Sequence, residues 1–370
     1  MCMNAPATGA ERLYRDSFGE QPHVVSRAPG RVEVLGNHTD YNEGYVLSCA
    51  IDKEIHVAVG PGGPETALEL VSSHYPETVR ITELAPRGSP AWVNYPLGVY
   101  AELCRQGLKG AGARIAVHGN VPLGAGLSSS AALEVATALA LCRFYSYEID
   151  PVELARVCQR AENSFAGAQC GLLDQFSSLF GKKDHLLFTD FRTLEHRTIP
   201  IPEVSLGLVI SGVTHSLADS GYNDRREECT RAAELLAGNY PGVRTLRDVS
   251  SEQLRRAEED LGPLLCKRAR HVVEENERVV QAMGLLESGD LSGFGRLLFQ
   301  SHESSRVNYE NSCPELDKLV ETARRVDGVH GSRLTGGGWG GATTGLAVKS
   351  KGMPKTSAYS TLKRPSSLMS

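Results

Sequence analysis

The stretch VPLGAGLSSSAALE, residues 121–134, decides how this chain is to be read. A strand-like start leads into Gly124 and Gly126, then Ser128, Ser129 and Ser130, and then the run SSSAALEVATALALCRFY (128–145). That run is apolar on nearly every face of a helix, so it belongs in the interior. Glycines let a backbone approach a ligand closely, and a helix start offers unpaired N–H groups and the positive end of a dipole. Serine hydroxyls placed there suit phosphate oxygens or a metal ion. In physical terms this is a phosphate cradle, although not a Walker loop, because no Gly-Lys-Ser/Thr follows. A tight strand-to-helix turn with a serine cap is the plainer alternative, and three serines behind two spaced glycines make it the weaker one.

Working outward, RLTGGGWGGATTGL (333–346) is a second glycine cluster, with Gly336, Gly337, Gly338, Gly340 and Gly341. Glycines in such number cost conformational entropy, and their usual purpose is a backbone that must lie against something. The strand-like flanks argue against a linker. The segment ENSFAGAQCGLLDQFSSLFG (162–181) sets Glu162 and Asp174 in mostly apolar surroundings. The helix pattern PVELARVCQRAENSFAG (151–167) carries Leu154, Cys158, Ala161 and Phe165 on one face, with Glu162 at its edge. A carboxylate there is costly unless a cation or donors accompany it. Mg2+ is a hard ion that takes carboxylate, hydroxyl and phosphate oxygens. For either acid alone a salt bridge is an equal reading; beside two glycine loops, function is favoured.

In GRVEVLGNHTDYNEGYVLSCAID (30–52) a strand opens onto Gly36, Asn37, His38, Asp40 and Tyr41 and resumes at Tyr45. These residues fit an ordinary hairpin loop or a set of hydrogen-bonding groups on a rigid scaffold. Taken alone, His38 and Asp40 are more often turn residues than ligands.

A chain of 370 residues fits two domains. With 41% hydrophobic and 22% charged residues and a net charge of −5, it lacks the basic excess of a nucleic-acid binder. Its apolar runs fall short of a membrane span, and its start has no secretory signal. The nine cysteines are scattered, with no CxxC pair, and Cys142, Cys158 and Cys266 lie in apolar helical patterns as small hydrophobes. A reducing compartment, the cytoplasm, is expected. Residues 24–120 read mostly as strands, including EIHVAVG and ARIAVHG, and HLLFTDF and LGLVISG are strands again. Helical spacing follows in REECTRAAELLAG, RHVVEENERVVQAMGLLESG and CPELDKLVETARRV. The fold class is α+β with a boundary near residue 200, giving domains 1–200 and 201–348. Residues 349–370, rich in Ser and Lys and without an acidic residue, read as a disordered tail.

At this point the residues carry a family resemblance. APGRVEVLGNHTDYNEGYVL, VPLGAGLSSSAALE and LTGGGWGG, in this order, resemble the three signature motifs of the GHMP small-molecule kinases, the first in its galactokinase branch. Agreement continues through WVNYPLGV, AENSFAGAQCGLLDQF, VTHSLADSGYNDRREEC and YENSCPELDKLV, covering roughly residues 24–348. The resemblance implies a two-domain fold with the active site in the inter-domain cleft. It also implies transfer of the ATP γ-phosphate to the anomeric C1 hydroxyl of galactose, with Mg2+. By motif, Asp174 is expected against that hydroxyl as base or charge stabiliser, with Arg31 beside it. Ser130 and Glu162 are expected to hold Mg2+. Gly124, Ala125, Gly126, Leu127, Ser128, Ser129 and Ser130 would wrap the phosphates, with Tyr95 near the adenine. His38, Asp40, Gly171 and Tyr222 would meet the sugar hydroxyls.

Two departures stand out. Asn37 occupies the place where the family usually has a glutamate touching the sugar C6 hydroxyl, and Glu33 replaces a usual asparagine. Asparagine is neutral, shorter, and both donates and accepts, so the anchor at C6 is altered. A sugar modified at C6 is therefore a rival to galactose, as is N-acetylgalactosamine. A non-catalytic sensor of sugar and ATP is a rival of another class, disfavoured by the uninterrupted LSSSAALE and by the presence of both Arg31 and Asp174. The resemblance stops near Val348, where the family continues with strand, helix and strand, and the end reads as truncated or frame-shifted. The expected partners are a small sugar and ATP, without nucleic acid or membrane, and a monomer is the expectation.

Overall fold

The computed structural model describes residues 8–63, 67–201, 204–213 and 221–348, and the tail expected from Lys349 onward lies outside them. Packing divides the chain into two compact units, each assembled from separated segments. The first takes the residues up to Arg31, then Lys53–Pro122 and Ser128–Gly181. The second takes Val32–Asp52, Leu123–Leu127 and the described residues from Lys182 onward. This division differs from a single cut near residue 200. The reason is that two long strands, β1 (Val24–Leu35) and β2 (Tyr45–Pro61), each begin in one unit and end in the other.

In the first unit, α1 (Gly9–Phe18) starts from a capping box in which Thr8 and Glu11 bond each other's backbone N–H. The closing half of β2 continues a sheet with β3 (Leu68–Ser72), β4 (Tyr75–Ile81) and β5 (Ala113–Gly119), in the order β4-β3-β5-β2. Strands β3 and β5 run parallel, Leu68 opposite Ala113, while β5 and β2 are antiparallel, Gly119 opposite Ile55. Four helices follow the sheet strands or lie between them: α2 (Asn94–Arg105), α3 (Ser129–Phe144), α4 (Pro151–Ala161) and α5 (Leu173–Phe180). Helix α3 is the buried one, as its composition predicts: Ala131, Ala132, Leu133, Val135, Ala136, Ala138 and Leu141 are all inside. Its alanines let α2, α4 and α5 pack closely against it. Helix α4 starts at Pro151, and the Asp150 carboxylate accepts from the N–H of Val152 and Glu153, a cap worth about 1 kcal/mol. It ends in a π-turn, Glu162–Ala166.

Helix α2 lies inside the stretch read from sequence as mostly strands. Val93, Leu97, Tyr100 and Ala101 recur at helical spacing and are buried, a signal masked by the strand-rich sequence around it.

The second unit opens with the first half of β2 paired antiparallel to β6 (His185–Asp190), Tyr45 opposite Asp190, and β6 to β7 (His196–Pro200). Its other sheet has β8 (Val204–Ile210), then helices α6 (Tyr222–Asn239), α7 (Ser251–Arg256), α8 (Glu258–Ser288), α9 (Leu291–Ser304) and α10 (Pro314–Arg324) before β9 (Val329–Thr335) and β10 (Ala342–Val348). The strand order is β8-β10-β9, all antiparallel. Cys229, Leu236, Leu246, Leu254, Val272 and Tyr309 form the apolar core between its helices. Helix α9, like α4, runs into a π-turn, Ser305–Tyr309. Among the described residues no helix is long and apolar enough to cross a membrane.

Candidate active site

Arg31 lies in the part of β1 that belongs to the first unit, and its guanidinium is nearly buried. Asp174 sits in the first turn of α5. The Arg31 Nε donates to Asp174 Oδ1 at 2.8 Å, and its Nη2 lies 2.6 Å from the same oxygen. The other carboxylate oxygen, Oδ2, accepts from the Ser128 hydroxyl at 2.6 Å. Helix α5 is tied to β1 by Ser178, whose hydroxyl donates to the Pro29 carbonyl at 2.7 Å. A cation and a hydroxyl thus hold one carboxylate from both sides while a fifth of the Asp174 side chain remains open to solvent. Ser128 stands just before α3 with left-handed backbone (φ 56°), which turns its side chain toward the acid instead of capping the helix.

Beside this group lies a second acidic cluster. Glu162, at the start of the π-turn after α4, accepts on Oε2 from Gln175 Nε2 at 2.6 Å, and the Cys170 sulfur lies 3.4 Å from the same oxygen and 3.2 Å from Asn163 Oδ1. Gln175 gives its other amide hydrogen to Glu134 Oε2 at 2.9 Å. Burial first, and then the charge of Asp174, push the Glu162 carboxyl up, while the Ser130 hydroxyl and its other donors pull it back. Glu134 is pushed up well beyond the carboxylate range by burial and then by Glu162. Ser130 and Glu162 are therefore brought together, and a hydroxyl with a carboxylate is a hard oxygen set that suits Mg2+. Tyr95, in the first turn of α2, has its phenol pushed up by burial and by the charges of Glu162 and Glu134, which places it at this cluster. Gly171 is buried in the segment that leads into α5.

The glycine loop divides at Leu127. Its first part, Leu123–Leu127, packs with the second unit, against the other glycine cluster. A Cβ on Gly126 would meet the Thr335 carbonyl at 3.2 Å, and one on Gly341 would meet the Ala125 backbone at 3.2 Å. Both glycines have positive φ, 70° and 82°, so a side chain at either would strain the backbone and press on its neighbour. The expectation that the second cluster lies against something is met here by Ala125 and Gly126.

The loop after β1 is held by a buried polar network within the second unit. Glu275 of α8 accepts on Oε1 from the backbone N–H of Gly36 at 3.0 Å and of Asn37 at 3.2 Å, and from the Ser301 hydroxyl at 2.6 Å. Its Oε2 takes Arg278 Nε at 2.6 Å, and these partners hold the carboxyl far below its ordinary range against the opposing effect of burial. Asn37 is saturated. Its Nδ2 donates to Glu33 Oε1 and to the Gly336 carbonyl, both at 2.9 Å, and its Oδ1 accepts from Asn311 at 3.0 Å and Ser305 at 3.3 Å. An amide has two hydrogens and two lone pairs, so none is left for a sugar. The sequence expectation of an altered contact at C6 becomes something else here: an Asn37 turned into the protein. Glu33, four residues earlier, is fully buried and pairs with Arg333 Nη1 at 2.8 Å.

His38 is likewise engaged on both ring nitrogens. Its Nε2 lies 2.9 Å from the Gly337 carbonyl, which only accepts, so Nε2 carries the proton. Burial pushes the imidazole down to about 3, so it is neutral and Nδ1 accepts from the Tyr41 hydroxyl at 2.7 Å. Tyr41 then accepts from Tyr309 at 2.6 Å, and Tyr309 from the Cys229 thiol at 3.2 Å. The chain of donors runs one way, from Cys229 to Gly337. The His38 ring also packs against Tyr222 at 5.1 Å and Trp339 at 6.1 Å between centroids. Asp40 begins a short helical turn and is half-buried.

Sequence reasoning missed Gln175, Glu134, Glu275 and Arg333. Glu134 had a signal, an acid inside a helix apolar on all faces; the charged run of α8 offered none.

The comparisons with known proteins bear on this constellation. Residues 12–61 match the galactokinase galactose-binding signature, 94–182 the GHMP kinases N-terminal domain and 282–355 the GHMP kinases C-terminal model. A galactokinase from Roseiflexus sp. (strain RS-1) is 44% identical over 338 residues, 91% of this chain and 86% of that protein. The chain belongs to the galactokinase branch of the GHMP kinases. A Thermotoga maritima galactokinase is 41% identical over 87% of this chain and 89% of its own. The crystal structure of Lactococcus lactis galactokinase complexed with galactose superposes with a TM-score of 0.85 at 31% identity, covering 91% of this chain and 89% of that one. Methanococcus jannaschii mevalonate kinase, at 18% identity and a TM-score of 0.61, shares the fold. The family's members are two-domain α+β kinases. The Asn37 loop falls in the galactose-binding signature, and Ser128, Ser130, Glu162 and Asp174 fall in the N-terminal model.

Proposed function

We propose that this chain transfers the γ-phosphate of ATP to the C1 hydroxyl of galactose, giving galactose 1-phosphate. The observation that carries the reading is the Arg31–Asp174–Ser128 constellation, in a chain 41–44% identical to galactokinases. Phosphoryl transfer asks for positioning and charge neutralisation more than for covalent chemistry. Asp174 takes the proton of the C1 hydroxyl or stabilises the charge that develops there. Arg31 holds that carboxylate in place and offers positive charge to the transferred group. Gly124, Ala125, Gly126, Leu127, Ser128 and Ser129 supply backbone and hydroxyl donors to the phosphates, and Tyr95 serves the adenine. Ser130 and Glu162 would hold Mg2+, which when bound neutralises charge on the nucleotide phosphates.

His38, Asp40, Gly171 and Tyr222 are our candidates at the sugar hydroxyls, with His38 contributing ring surface because its nitrogens are occupied. Asn37 acts by holding the loop in shape. A saturated Asn37 favours one further reading, tolerance of sugars altered at C6. The cytoplasm is the proposed compartment; the cysteines at 104, 142, 158, 170, 229, 266 and 313 are free thiols.

The test is ADP release with Mg-ATP and a panel of galactose, N-acetylgalactosamine, 6-deoxygalactose, arabinose and glucose, with Asp174→Asn as control. Turnover on galactose that is abolished in the control supports the proposal. Binding without turnover on any sugar overturns it in favour of a sensor.

A further inference from the structure

We infer that Gln175 is a positioning residue for the Glu162 carboxylate and that Glu134 is its anchor. The inference rests on the proposed role of Glu162 in holding the metal. Gln175 is wholly buried on α5, and its single amide nitrogen reaches two acids on two other helices: Glu162 at the end of α4 and Glu134 on α3. An amide has two N–H groups, and both are committed to carboxylates. The bond to Glu134 fixes the rotation of the amide, and the bond to Glu162 then fixes one carboxylate oxygen. The Cys170 sulfur, shared with Asn163 Oδ1, also lies on the side of that oxygen, Oε2, leaving Oε1 as the oxygen that neither group meets. A ligating carboxylate with one oxygen pinned presents the other in a defined direction, the role that hydrogen-bonded partners play around metal sites generally.

Stability alone gives no reason for this arrangement. Glu134 lies within a helix whose neighbours are alanine, leucine and valine, and an apolar side chain would avoid the cost of burying an acid. Its other oxygen, Oε1, has no hydrogen-bond partner among the described residues, and neither does Gln175 Oε1. Among the described residues, the bond that Glu134 makes to another side chain is the bond that orients Gln175. A buried acid kept for one such contact points to the site that the contact supports.

The experiment measures Mn2+ affinity by electron paramagnetic resonance in the presence of a non-hydrolysable ATP analogue, alongside the KM for galactose and the melting temperature. Gln175→Met keeps volume and removes both donors. Glu134→Met removes the anchor, while Glu134→Gln keeps an oxygen that can accept from Gln175. Gln175→Met and Glu134→Met are expected to weaken Mn2+ about tenfold, with the galactose KM within about twofold of the starting enzyme. Glu134→Gln is expected to restore tight binding. If a methionine variant does not fold, Gln175→Asn, which cannot span both acids, must show the same loss. Unchanged Mn2+ affinity in folded Gln175 and Glu134 variants, with affinity lost in Glu162→Ala, overturns the inference. Unchanged affinity in Glu162→Ala itself overturns the metal reading on which it rests.

Discussion

The pairing of Glu33 with Asn37 makes a quantitative demand on the protein. Asn37→Asp changes no heavy-atom position in principle, yet it replaces the donor that faces Glu33 Oε1 and the Gly336 carbonyl, each 2.9 Å away, with an acceptor. Two hydrogen bonds are lost, at about 1 kcal/mol each, and two acids now face one another at about 3 Å. With an effective dielectric near 20, that repulsion is about 5 kcal/mol, an upper limit because one acid can take up a proton instead. We expect a loss of about 4 kcal/mol at pH 7.5, a large share of what holds a domain folded. Protonation supplies a second signature. The new acid would have a folded-state pKa above its unfolded value, so the native variant binds a proton that the unfolded chain lacks. Its deficit therefore shrinks as pH falls, by up to about 1.4 kcal/mol per pH unit.

Glu33→Gln alone removes the charge paired with buried Arg333 and leaves it the Val34 carbonyl at 3.4 Å and Glu275 at 4.0 Å, a loss of about 3 kcal/mol. Joined in one chain, the two changes reverse the polarity of the pair: an amide at 33 donates to a carboxylate at 37. Urea unfolding of both single variants and the double variant gives the coupling, which should be a recovery of at least about 2 kcal/mol relative to the sum. A deficit under about 1 kcal/mol for Asn37→Asp, or additivity within about 0.5 kcal/mol, would refute the reasoning.

The remaining predictions concern catalysis, specificity and pH. Arg31→Ala should lower kcat by at least about 100-fold, because it removes the charge held against Asp174; steady-state rates within tenfold of the starting enzyme would dismiss that role. Because Asn37 has no hydrogen bond to give, 6-deoxygalactose should retain kcat/KM within about tenfold of galactose, less than the penalty for a lost buried hydrogen bond. A ratio above about 100 would mean that another group reads C6. His271 donates through Nε2 to the Asn37 carbonyl, and burial pushes its imidazole down to about 4. Since the unfolded chain protonates near 6.5, this histidine favours the native state fully above that pH and less as pH falls toward 4. The destabilisation by His271→Gln should thus shrink by about 2 kcal/mol between pH 7.5 and 5, and a constant difference would contradict the buried neutral ring.

Much of this was legible in the chain itself, and the exceptions have physical causes. Helix α3 was readable because no face of it is polar, and the two glycine clusters because such backbone has no other economical use. Glu162 was found by the cost of an acid at the rim of an apolar face. Glu134 passes the same criterion more strongly, but a single acid in a long apolar run is easily taken for part of a motif. Asn37 and His38 were readable as polar groups on a loop, while the direction in which they face was not. Residues hundreds of positions away, Glu275, Asn311, Arg333 and Gly337, determine it, and nothing local encodes those partners. Helix α2 was hidden by neighbouring strands, and the boundary near 200 by the assumption that compact units follow chain order.

That last feature has a consequence for how the protein can be taken apart. Strands β1 and β2 change units part-way along, at Arg31 and at Lys53, and Leu123–Leu127 crosses over for a few residues. A gene fragment ending near residue 200 would carry the Asn37 loop without Glu275, Asn276 or Arg333, and a fragment starting there would carry those partners without their loop. The first half holds every segment of the first unit but only part of the second, so each half would leave buried charges of the second unit with nothing to meet them. Strands β1 and β2 pair with each other and with β5 and β6, but the Asn37 loop meets Glu275 and Arg333 only once α8 and β9 have been made, contacts of long sequence separation that slow folding. Swapping halves between relatives at the midpoint separates the Asn37 loop from its own partners, whereas exchanges that follow the interleaved segments keep each buried pair intact.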